Sequence, residues 1–143
     1  MIKKTYKKKT QNKFGAKAGK GKKSQLEIYC AQQLSLNNIP FQYEPTSYQL
    51  TERFKFCSIE PTTKGMAEKC IGRPITYKPD FVCPQESWII ETKGMITEPF
   101  QIRWKLFKKY CSIHKPHIKL YIARNKKQVD EIIFLIKKSI NEV

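Results

Sequence analysis

The sequence predicts an α/β fold, with a mixed central β-sheet flanked by helices. Three observations carry this. A helical apolar stripe begins near Ser24, strand-like alternation and short apolar runs follow, and two further amphipathic segments bracket the last strand. The resulting order of helix, several strands, helix, strand and helix is that of helices packed on a sheet. At 143 residues, with 40% hydrophobic and 28% charged, the chain holds one core and not two.

Each element follows from local pattern. "SQLEIYCAQQLSLNN" places Leu26, Tyr29, Cys30 and Leu34 on one helical stripe and ends at Asn37-Asn38. "FQYEP" and "YQLTERFKF" alternate as strands do, whereas residues 57–74 have Pro, Gly and no clear period and read as a long loop or excursion. Strands resume at "ITYKPDFVC" and "WIIETKG". In "TEPFQIRWKLFKKYCSIH", Thr97 caps, Pro99 suits the first turn, and Phe100, Trp104, Phe107 and Cys111 form the stripe. At that spacing the aromatics are core rather than base-stacking platforms. "IKLYIA" is a short buried strand, and "NKKQVDEIIFLIKKSI" turns Val129, Ile132, Ile133, Ile136 and Ile140 inward.

Charge bears on partners more than on fold. The net charge is +16, from 28 Lys+Arg against 12 Asp+Glu, which points to nucleic acid before an anionic membrane. Residues 1–23 hold ten lysines, three glycines and no acid, a composition expected of a disordered basic arm resting on phosphates. Residues 24–143 then form the domain. No apolar run approaches a membrane span, and the N-terminal lysines have no apolar core after them, so a cytoplasmic protein is expected. The five cysteines lie far apart without a C-x-x-C pair, as reduced thiols do. Zinc coordination by Cys57, Cys70 and His114 or His117 stays open, although the spacing is not that of a zinc site. No P-loop, Gly-rich dinucleotide motif or nucleophile elbow is present.

The candidate site lies in "YKPDFVCPQESWIIETKG", residues 77–94. With a turn at residues 84–87, Cys83 faces Trp88 and Asp80 faces Glu91, whose Cβ atoms are then about 4.5–5.5 Å apart. Alternation puts Lys93 on the Glu91 face and Trp88, Ile90 and Thr92 on the other. Opposed carboxylates repel, and a divalent cation resolves the repulsion. Mg²⁺ takes few hard oxygen ligands while holding a phosphate, and Mn²⁺ accepts the same set. Lys93 can orient the attacking water or stabilise charge on the phosphate, which amounts to metal-assisted phosphodiester hydrolysis. The plainer alternative has Lys93 merely neutralise Glu91 on a solvent-facing strand.

Pro79-Asp80 followed by Glu91-Thr92-Lys93 resembles the PD-(D/E)XK nuclease signature, and the longer string is similar to the phage endonuclease I family of Holliday-junction resolvases. The likeness spans residues 24–125 and is most specific over 77–94. It implies a restriction-endonuclease-like core in which Asp80, Glu91 and the Thr92 carbonyl bind metal and Lys93 is catalytic. It also implies a helix-borne acid, for which Glu27 is the matching position. It further implies a homodimer acting on branched DNA in the host cytoplasm. Glu27 has a second reading, since Ser24-x-x-Glu27 is a capping box. The 57–74 segment is longer than the family's corresponding connection.

Basic residues complete the candidate surface. Lys20, Lys22 and Lys23 in the arm, Arg103, Lys105, Lys108 and Lys109 on the helix after the E-T-K strand, and Arg124, Lys126 and Lys127 after the last strand are the expected DNA contacts. His114 and His117 flank Pro116 in a turn and are expected to be merely exposed. Two rival functions remain: a same-superfamily nuclease cutting flaps, ends or plain duplex, and a non-catalytic basic DNA-binding protein.

Overall fold

The computed structural model describes residues 23–142. The chain runs α1 (Gln25–Leu36), β1 (Gln42–Tyr43), β2 (Tyr48–Gln49), β3 (Phe54–Thr62), β4 (Gly65–Gly72), β5 (Thr76–Tyr77), β6 (Phe81–Val82), β7 (Trp88–Thr92), α2 (Glu98–His114), β8 (Lys119–Ala123) and α3 (Lys126–Asn141). The central sheet has the order β1-β6-β7-β8, with antiparallel pairs except for parallel β7 and β8. It is a mixed sheet, and the architecture is mixed α/β.

Period-two alternation divides the core between the two sheet faces. On one side Phe81, Cys83, Trp88, Ile90 and Ala123 pack against Cys30, Ala31 and Leu34 of α1 and Val129, Ile132, Ile133 and Ile136 of α3. On the other, Val82 and Ile89 pack against Phe100, Trp104, Phe107 and Cys111 of α2, with Tyr48 and Tyr77. Full burial of side chains such as Phe81, Phe107, Ile89 and Ile90 contributes about 1.5–3 kcal/mol each. The aromatic stripe of α2 is therefore core. Ile140, in the last turn of α3, is the exception to its stripe: it is 55% exposed.

The helix starts follow their sequence signals. The side chains of Ser24, Thr97 and Asn125 accept from the N–H of Glu27, Phe100 and Gln128. Tyr29 Oη donates to Asp130 Oδ1 at 2.8 Å, and Lys137 Nζ donates to Asn37 Oδ1 at 3.1 Å, so α1 and α3 lie side by side and run the same way.

The expected loop at 57–74 is instead most of a β-ribbon. β3 and β4 pair from Phe54↔Gly72 to Thr62↔Gly65, with an irregularity between Lys55 and Ser58. Its turn needs Gly65, at φ +117°. Both faces of the ribbon are largely exposed, so no burial pattern marked it in sequence. "YQLTERFKF" is likewise not one strand: it holds the two-residue β2 and the start of β3, separated at residues 50–53. The basic arm of residues 1–23 lies outside the described residues except for Lys23.

Candidate active site

Parallel pairing sets where the candidate residues meet. Thr92 is level with Ala123, and the Lys93 N–H continues the ladder to the Ala123 carbonyl at 2.8 Å. α3 starts three residues beyond that strand end, and α1 runs alongside it. α2 starts only six residues beyond Thr92 and runs back to the β6–β7 turn, where Lys115 Nζ meets Glu86 Oε2 at 2.5 Å. Three helix N-termini thus gather at one end of the sheet, each carrying a partial positive charge that favours anions.

The acids lie at this end. Phe81↔Ile90, Val82↔Ile89 and the Cys83 N–H to Trp88 carbonyl bond at 3.0 Å place Asp80 opposite Glu91, the register read from the turn. Asp80 is 8% exposed and Glu91 6%. Glu91 Oε2 accepts from Tyr77 Oη at 2.5 Å. Asp80 Oδ2 accepts from the Thr92 N–H at 2.9 Å and the Thr92 hydroxyl at 2.7 Å.

Those bonds correct the expected face pattern. Glu91 keeps to the Ile89 face, where Tyr77 lies, and Lys93 sits on the same side with its Nζ 5.1 Å from the Phe100 ring centroid. Asp80 instead turns to Thr92, which alternation had set away from the acids. The reason is local. Asp80 precedes β6 in the bend after Pro79, where strand alternation does not bind it.

Burial and crowding leave both acids short of compensation. Burial pushes the Glu91 carboxyl up to about 8, and the Asp80 charge adds to this against the opposing effects of Tyr77, the Asp80 N–H and Lys93. Burial raises Asp80 to about 6 despite its two bonds from Thr92, with the charges of Glu27 and Glu44 pushing the same way. The Tyr77 phenol is pushed far above its ordinary value by burial and by Glu91, so it remains a donor.

Glu27 is not tied up in a capping box. Ser24 Oγ does accept from the Glu27 N–H at 3.1 Å, but the Glu27 carboxylate accepts from Tyr43 Oη at 2.7 Å rather than turning back to Ser24. Its charge is felt at Asp80. Sequence reasoning missed Tyr43, Tyr77 and Glu44. Glu44 adopts φ +42°, donates its N–H to the Asp80 carbonyl at 2.8 Å and lies 4.0 Å from Lys78 Nζ. Its only sequence signal was position, just after a strand that turned out to border β6.

Among the described residues no cluster of three or more His, Cys, Asp and Glu side chains is gathered for a metal ion. Cys57 and Cys70 are exposed on the ribbon, and the His114 ring packs on Tyr110 at 4.5 Å, so nothing assembles the zinc alternative. Asp80 and Glu91 nevertheless fit a hard divalent cation. They are oxygen donors, buried and repelling, and Mg²⁺ binds through one or two carboxylates with water and phosphate completing its shell.

The basic candidates fall into two groups. Arg124, Lys126 and Lys127 are exposed where β8 meets α3, at the acid end. Lys126 Nζ lies over Tyr29 and Lys23 Nζ over Tyr43, 5.1 and 4.5 Å from the ring centroids. Arg103 is exposed one turn after Phe100, while Lys105, Lys108 and Lys109 are exposed progressively farther along α2. Lys20 and Lys22 lie outside the described residues.

A mixed α/β protein with two opposed buried carboxylates where parallel strands end is the class that fold and site define. The chain belongs to the family described as protein of unknown function, DUF1064, which it matches over residues 3–130. It matches no curated protein and no solved structure. Among the described residues no helix is long and apolar enough to cross a membrane.

Proposed function

We propose that the protein is a Mg²⁺-dependent DNA endonuclease of the PD-(D/E)XK type, with a restriction-endonuclease-like core, acting as a homodimer on branched DNA such as a Holliday junction. The observation that carries this reading is the opposition of buried Asp80 and Glu91, with Lys93 on the Glu91 side. Asp80, Glu91 and the Thr92 carbonyl would hold Mg²⁺ or Mn²⁺, which supplies charge neutralisation and Lewis acidity at the scissile phosphate. The Tyr77 phenol fixes the Glu91 carboxylate, and Thr92 fixes Asp80. The Lys93 ammonium orients water or stabilises charge growing on the phosphate. Glu27, held at the mouth by Tyr43, positions water. The basic side chains at the β8–α3 junction and on α2 grip the flanking phosphates. A cytoplasmic setting follows from that substrate.

A non-catalytic basic DNA-binding protein is the second reading. It is favoured by the tyrosine bonds that occupy Glu27 and Glu91. Cleavage by purified protein separates the two. Under the nuclease reading, Asp80→Asn, Glu91→Gln and Lys93→Ala each lower the rate at least about a hundredfold while DNA binding persists. Binding without any metal-dependent product supports the second reading. Equal cutting of plain duplex, flaps or ends would keep the nuclease and remove the junction preference.

A further inference from the structure

Outside the carboxylate site, the largest feature without an assigned role is the β3–β4 ribbon. β3 has nine residues and β4 eight, which at about 3.3 Å per residue is a span of nearly 30 Å. It forms a two-stranded sheet of its own and adds to neither of the others. A hairpin of that length with both faces wet is marginal alone, so a partner surface is expected to cover it.

Its chemistry indicates which partner. Residues 53–73 carry five basic side chains, Arg53, Lys55, Lys64, Lys69 and Arg73, against two acids, Glu60 and Glu68. Glu60 is already neutralised by Lys69 Nζ at 2.7 Å. Arg53 and Arg73 flank a surface depression at the base, together with Ile71 and Pro74. At the tip, Pro61 stands opposite Met66, both exposed, Met66 at 66%. Beyond them Lys64 occupies a turn closed by the Thr62 hydroxyl bond to the Gly65 carbonyl at 2.8 Å. The ribbon is therefore basic at its base and at its turn, and ends in a small apolar wedge with a lysine beside it. Proteins that enter the DNA minor groove use this combination: cations for the phosphates and a Pro or Met pressed against a base step.

We infer that the β3–β4 ribbon is a DNA-binding arm whose Pro61–Met66 tip enters the minor groove and bends the duplex, while Lys55, Lys64, Arg53 and Arg73 contact phosphates. This deepens the nuclease reading by naming the element that grips DNA away from the cut. It rests on that reading for its substrate but not for its chemistry. Bending would favour branched DNA, whose arms deform more readily than a continuous duplex.

The test uses the full chain in chelator with an end-labelled duplex of about 30 base pairs, following binding by anisotropy and bending by end-to-end energy transfer. Wild type should bind and shift the energy transfer. The Pro61→Ser/Met66→Ser protein should lose that shift and bind about tenfold more weakly, with an unchanged salt dependence. The Lys55→Gln/Lys64→Gln protein should bend DNA but flatten the slope of log K against log salt by about 0.9 per lost contact. Tip variants that bind and bend as wild type does would overturn the inference. So would tip variants that change only the mass of the protein in solution, which would make the ribbon a contact between two copies. Absence of any Mg²⁺-dependent cleavage by the wild-type protein, with bending intact, would remove the nuclease reading and leave the arm standing, so the two failures are distinct.

Discussion

Tyr77 donates its phenol proton to Glu91 across 2.5 Å, and both side chains are buried, between the sheet and α2. The bond fixes one of the two opposed carboxylates and lowers its proton affinity, against burial and the charge of Asp80. Tyr77→Phe should therefore destabilise the fold by about 1–2 kcal/mol. It should also raise the Glu91 pKa further. Trp104, whose ring lies 5.9 Å from that of Tyr77, gives a readout: the pH midpoint of its fluorescence should move upward in the variant.

Stability should fall as pH rises. A carboxyl whose folded pKa exceeds its unfolded value stabilises fully below the unfolded pKa, and that contribution is lost as pH passes the folded one. For Glu91 the window runs from 4.5 to about 8, and for Asp80 from 3.8 to about 6. Glu91→Gln removes the titrating group and keeps the shape. Thermal melts in chelator should show it about 5 °C or more above wild type at pH 8.5, with the gap closing at pH 5. A constant gap would mean that Glu91 does not carry the effect.

Divalent cation should reverse that pH trend. Binding needs ionised carboxylates, so at pH 7 added Mg²⁺ or Mn²⁺ displaces protons from the site. Calorimetry in buffers of different ionisation enthalpy should detect proton release, together with a rise in melting temperature. Asp80→Asn and Glu91→Gln should abolish both.

Much of this was legible in the sequence, for identifiable reasons. The β6–β7 register could be counted outward from the natural turn at residues 84–87, which sets Cys83 opposite Trp88. The helices announced themselves by stripes and, for the first two, by caps at Ser24 and Thr97. The ribbon was illegible because neither of its faces is consistently buried. Asp80's turn toward Thr92 was hidden because alternation fails one residue before β6, after Pro79. Tyr43 and Tyr77 looked like ordinary strand residues, and only tertiary pairing brings them to Glu27 and Glu91.

The two roles open to Glu27 are separable. Ser24→Ala removes the helix cap and should cost about 1 kcal/mol of stability with cleavage retained. Glu27→Gln keeps the cap and the neighbouring packing, and should slow cleavage at least about tenfold with little change in melting temperature. If the two variants exchange these effects, Glu27 acts only structurally.

The most direct measurement is cleavage of a synthetic four-way junction beside a linear duplex of the same sequence, with Mg²⁺, with chelator and with Glu91→Gln. The account predicts paired nicks at the branch point, absent with chelator and absent in the variant. No cutting of either DNA, at concentrations where both are bound, would contradict it.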